Sequence, residues 1–185
     1  MSVLRFFMLL SLVVWVGGIV FFAAVVAPSV FSVLPTRHLA GLVVNRSLAT
    51  LHWMGIVCAA LFLVTSLLHA HGTTGSAQPA AARNLLVIAM LALTLVSQFV
   101  VAPRMSALRA DMGEIDSVAV NDSRRVEFNQ LHAWSTRLEG FVLLLGLGVI
   151  FLVARDWRPA VSGGTIPSVS GASGPALQKV RSIRS

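Results

Sequence analysis

From Phe6 to Thr36 the chain carries no Asp, Glu, Lys or Arg. A hydrocarbon slab about 30 Å thick is crossed by ~20 helical residues, so an uncharged apolar stretch of this length reads as a membrane-spanning helix. Three further intervals follow: Leu51 to Leu68, Asn84 to Pro103 (closed by Arg104), and Gly140 to Ala154 (closed by Arg155). The last has 15 residues, which rise only about 22 Å as an α-helix. Its span must therefore draw in Ser135 to Glu139, which sets Glu139 within or at the edge of the hydrocarbon. Composition agrees: 56% of residues are hydrophobic and 11% charged, against roughly 25% charged in a soluble domain. A water-soluble surface cannot be built from this sequence. The expected fold is all-α, an integral membrane four-helix bundle with helices over 4–33, 37–70, 83–112 and 122–156.

The expected organisation is a transmembrane domain over 1–157 and a basic tail over 158–185. That tail is rich in Gly, Ser and Pro and has no apolar period, so it is expected to be disordered. The first helix resembles a secretory signal in having Arg5, an apolar run and then Ala24 and Ala27. Pro28 after the cut disfavours cleavage, so the helix is expected to be retained. Residues 69–83 read as a Gly/Pro/Ala turn holding His69 and His71, an H-x-H pair that supplies only two ligands. The link from Arg104 to Leu131 holds five of the seven acids. It reads as two helical extensions meeting near Ser117 to Asn121, with Asp122 or Ser123 capping the fourth helix. Four basic residues flank the spans on the side of the termini and seven on the other. That asymmetry favours termini outside and the two larger links in the cytoplasm. The expected location is a bacterial inner membrane, multi-pass, with the lipid bilayer as the main partner. A homo-oligomer or a membrane partner protein is also compatible. The net charge of +7 is assigned to the membrane surface and the tail; no nucleic-acid motif is present.

The order Val25-Val26-Ala27-Pro28 followed by Leu51-His52-Trp53 recurs as Val100-Val101-Ala102-Pro103 followed by Leu131-His132-Ala133-Trp134. This suggests a duplicated helical hairpin. The duplication would place His52 and His132 at matched positions near one membrane face. Both are candidates for axial ligands of haem b or for ligands of copper or another metal. The favoured reading of both is as interfacial or packing histidines, with Trp53 and Trp134 in an aromatic belt. No cofactor is assigned on this basis.

Glu139 is the strongest single candidate. His132 lies seven residues before it on the same helical face, with Ser135 between. An acid at membrane depth needs a partner. Arg104, just after the proline that ends the third span, is expected to supply it, with Gln98 a turn and a half deeper. The expected polar cluster is thus Gln98, Arg104, His132, Ser135 and Glu139, between the third and fourth helices. Arg137 is the competing partner, on roughly the opposite face. Gly17, Gly18, Gly140, Gly146 and Gly148 allow close helix approach. Cys58 reads as a small apolar side chain. No phosphate loop, serine nucleophile setting or zinc-protease motif is present.

Trp15-Val16-Gly17-Gly18 running to Phe21-Phe22 and Ala27-Pro28, then Leu34-Pro35, Ala40-Gly41, Val101-Ala102-Pro103-Arg104-Met105, and Phe128 with Leu131-His132 and Ser135, resemble the transmembrane protein 205-like domain. The resemblance spans residues 6 to 155 and implies a small four-helix membrane protein without assigned chemistry; the absence of a recognisable catalytic set makes a structural or accessory role the first reading. A more distant resemblance links the first helix to HemJ-type protoporphyrinogen oxidases and CopD-type copper-resistance proteins. HemJ-type proteins bind haem and use a histidine and a lysine in their first helices. Here the first helix has no histidine and the only lysine is Lys179. A haem or metal redox role is therefore the alternative, and small-molecule or ion transport with Glu139 in the path is the third reading.

Overall fold

The computed structural model describes residues 2–74 and 81–155. Among these residues there are four helices long and apolar enough to cross a membrane, and no strand. Helix α1 runs continuously through Ser2–Phe21, Phe22–Val26 and Ala27–Val33. Helix α2 is Arg37–Thr74, α3 is Ala82–Val96 with Ser97–Val101 and Ala102–Met112, and α4 is Ser123–Arg155. The all-α four-helix expectation is met. The expected tail over 158–185 lies outside the described residues.

The helix ends have local causes. Leu34, with ψ of 140°, ends α1, as expected of a residue before proline. Thr36 then starts α2: its Oγ1 accepts the Leu39 N–H at 3.2 Å and its carbonyl accepts the Ala40 N–H at 3.1 Å. Gly113, at φ 64°, stops α3 in a conformation that costs a side-chain-bearing residue. Asp122 caps α4. Its carbonyl accepts the Val126 N–H at 3.0 Å, and its carboxylate accepts the Arg124 N–H at 2.9 Å. One expectation is corrected: His69 and His71 stand on α2, not in a turn, because the helix continues to Thr74. The buried His69 ring accepts the Arg5 Nε–H at 3.2 Å and so anchors the last turns of α2 to α1.

Both α1 and α3 widen into a π-turn, at Phe22–Val26 and Ser97–Val101. Each is followed by Ala-Pro. Proline has no N–H, and its ring crowds the carbonyl four residues back. The ladder relaxes by one residue: Ala27 N–H bonds Phe22 O and Ala102 N–H bonds Ser97 O. The same device at the same place supports the duplicated-hairpin reading.

The helices pack antiparallel in the cyclic order α1–α2–α3–α4. Close approach at two glycines fixes the walls. A Cβ on Gly55 would lie 2.5 Å from Trp15 Nε1, and one on Gly146 would lie 2.6 Å from Val16 Cγ2. The core between the helices is apolar: Leu12, Phe62, Val87, Met90, Val142 and Val149 are essentially sealed. A smaller apolar cluster, including Met105, Met112 and Phe128, joins the extension of α3 to the start of α4.

Candidate functional site

Helices α2 and α3 meet along a seam whose polar contacts keep step. His52 faces Gln98, and fourteen residues along each helix Ser66 faces Asn84. Eleven residues the other way, the buried Arg109 guanidinium donates to Gly41 O at 2.9 Å. The shared step of fourteen, two heptads on each helix, marks coiled-coil-like packing between these two contacts, in which heptad-spaced positions face the partner. The position between the two polar contacts on α2 is Ala59, fully buried in the apolar core.

At the His52 level of this seam three side chains from three helices converge. His52 Nδ1 lies 2.9 Å from Gln98 Oε1, and His52 Nε2 lies 2.5 Å from Glu139 Oε1. Gln98 comes from the α3 π-turn, whose extra residue resets which side chains face α2. The Gln98 oxygen can only accept, so Nδ1 carries a proton. Nε2 and Glu139 Oε1 then share a second one, either as imidazole and carboxylic acid or as imidazolium and carboxylate. The pair is neutral in both arrangements, which suits a position among apolar side chains. His52 is sealed, with 3% of its side chain exposed, while Glu139 keeps 17%.

Two of the residues expected in this cluster, Gln98 and Glu139, are brought together, and the histidine they meet is His52. His132 is exposed and outside the cluster. Ser135 is buried on the same face of α4, one turn from Glu139, without a hydrogen bond to the three. The expected Arg104–Glu139 pair does not form. Arg104 Nε bonds Glu127 Oε1 at 2.6 Å, in an exposed pair. The cause is register. Glu127 and Glu139 are twelve residues apart on one helix, or about 18 Å of rise, and antiparallel packing sets Arg104 opposite the outer of the two. Arg137, the competing partner, lies over the Trp134 ring at 5.5 Å.

The same register decides the paired-histidine expectation. His52 is level with Glu139, so His132, seven residues earlier on α4, is displaced by about 10 Å along the axis. One metal ion sits about 2 Å from each ligating nitrogen, which this displacement does not allow. Both His52 ring nitrogens are also engaged by Gln98 and Glu139. The arrangement does not fit haem or copper held between His52 and His132.

A second polar group closes the other end of the bundle. Arg83 Nε donates to Ser66 Oγ at 3.1 Å, and Ser66 Oγ donates to Asn84 Oδ1 at 2.8 Å. The signal that would have located both groups is the shared fourteen-residue step along α2 and α3, which a search for opposite charges passes over.

Fold and site together define a class: a helical, multi-pass membrane bundle with a neutral histidine–carboxyl centre near one end. The family model described as "Domain of unknown function (DUF4149)" matches residues 10–114, more than half of the 185 residues, and the chain belongs to that family. The matched region contains His52 and Gln98 and ends before Glu139. No curated protein and no solved structure matches the chain. The family match agrees with the expectation of a domain without assigned chemistry; it does not extend to the transmembrane protein 205-like, HemJ-type or CopD-type likenesses.

Proposed function

We propose that this protein is a structural or accessory component of a membrane, with His52–Gln98–Glu139 as the lock that holds α2, α3 and α4 in one register. The observation that carries this reading is the three-helix hydrogen-bonded chain itself. Apolar ridges in a lipid-facing bundle slide past one another at little cost, whereas a polar pair in hydrocarbon has one satisfactory register. The all-helical span pattern supports a bacterial inner-membrane location over an outer-membrane barrel.

The test is a double-mutant cycle on thermal unfolding in mild detergent. His52→Leu and Glu139→Leu each leave a polar partner unmatched and should lower stability by roughly 1–3 kcal/mol. The combination His52→Leu with Glu139→Leu should recover much of that loss, because replacing both members of a buried pair by apolar groups is often nearly neutral. Additive losses would show that the two side chains are not coupled, and the lock reading would fall.

A further inference from the structure

His69 differs from His52 in what surrounds it. The His52 ring meets a carboxyl, so a charge on that ring has a counter-charge beside it. His69, buried near the end of α2, faces cations instead. Its Nε2 accepts the Arg5 Nε–H of α1 at 3.2 Å. Ser66, one turn earlier on the same face of α2, accepts from Arg83 of α3 at 3.1 Å. The last described residue of α4 is an exposed arginine, Arg155. Among the described residues this end of the bundle carries no carboxylate: the nearest acid along α4 is Glu139, sixteen residues before Arg155, and Asp156 lies outside the described residues. His71 is exposed, two residues on and so on another face of α2.

A guanidinium only donates, and it can donate to Nε2 only while that nitrogen is unprotonated. The Arg5–His69 bond therefore requires a neutral ring whose proton is on Nδ1. A second proton on the ring replaces the bond with two cations 3.2 Å apart, in a buried place where like charges repel strongly. The consequence is local. From Met8 onward α1 is held in the core, by buried Met8 and Leu12, whereas Val3, Phe6 and Phe7 before it are exposed. Arg5 supplies the polar tie for these first turns.

We propose that Arg5 and His69 form an acid-released latch: protonating His69 frees residues 2–7 of α1 from the end of α2, while the bundle from Met8 onward stays packed. The sign follows from the bond. The latch is closed above the ordinary imidazole range, about 6.5, and opens as pH falls through the value at which the buried ring takes its second proton.

The experiment places spin labels at Val3→Cys and His71→Cys, exposed positions two residues beyond Arg5 and His69 on the antiparallel pair. Cys58→Ala leaves no third thiol, and His71→Cys also removes the neighbouring imidazole. In mild detergent the dipolar broadening between the labels should be present at pH about 8 and lost at about 4.5, either side of the imidazole range. His69→Gln, whose side-chain oxygen accepts from Arg5 and takes no proton, should keep the broadening at both values. Arg5→Leu, which removes the repelling cation, should show no step with pH, and it keeps the test valid if His69→Gln fails to fold. A labelled parent protein with the same spectrum at both values would overturn the latch. So would a full step in His69→Gln or in Arg5→Leu, which would assign the release to a different titrating group.

Discussion

Glu139 meets the His52 ring at 2.5 Å, and no arginine among the described residues reaches it. A carboxylate near hydrocarbon calls for a donor, and arginine is the donor that charge counting offers first. Depth along a span cannot be counted accurately from where the charges stop, and an error of one or two turns moves a side chain past its partner. The residue that met Glu139 was neutral-capable, not permanently charged. This is the less costly solution, since the pair can exist without separated charge.

Asp122 shows the opposite case, a carboxylate in water whose partner is local and readable. The side chain of Arg124, followed by its backbone N–H, holds the Asp122 carboxyl at about 2, below the ordinary 3.8. A depressed folded value means that its contribution is present above the ordinary carboxyl range and is lost as pH falls through about 2. Carbon-detected NMR of the Asp122 carboxyl in micelles should give a midpoint near 2 in the wild type. Arg124→Gln, which keeps only the backbone donor, should raise it. A wild-type midpoint near 4 would remove Asp122 from its role at the start of α4.

At the scale of elements, the four helices were legible because charge-free length is a direct measure of bilayer thickness. Their termini were legible because Pro35, Gly113 and Asp122 act locally. The continuation of α2 through His69 was not, since a helix end with weak breakers is decided by packing. The glycines separate into two kinds only once the neighbours are known. Gly55→Ala must push against the Trp15 ring, and Gly146→Ala against Val16. Each should cost roughly 1–3 kcal/mol by overpacking. Gly17→Ala meets nothing within 4 Å and should gain up to ~1 kcal/mol from helix propensity. Thermal unfolding of the three variants in one detergent checks the order. A loss at Gly17 equal to that at Gly146 would contradict the packing of α1 against α4.

The whole molecule bears on transport. A proton or small cation crossing the bundle needs polar groups or water along its full length. Within the membrane-crossing part of the α2–α3 seam the side-chain hydrogen-bonded groups instead lie at two levels, His52–Gln98–Glu139 and Ser66–Asn84–Arg83, with buried Thr94 between them. Fourteen residues of α2 separate the two levels, or about 21 Å. That interval is filled by the sealed side chains of Phe62, Val87 and Met90 from α2 and α3, with Leu12 and Val142 from the flanking helices. Carrying a charge through such a plug costs several kcal/mol even after local relaxation. Proteoliposomes holding a pH gradient and an internal pH dye should therefore leak protons at the rate of empty vesicles, with wild type and Glu139→Gln alike. A wild-type flux tenfold above empty vesicles, abolished by Glu139→Gln, would establish a path through the centre. The lock would then have to open during turnover, and transport would displace the structural role.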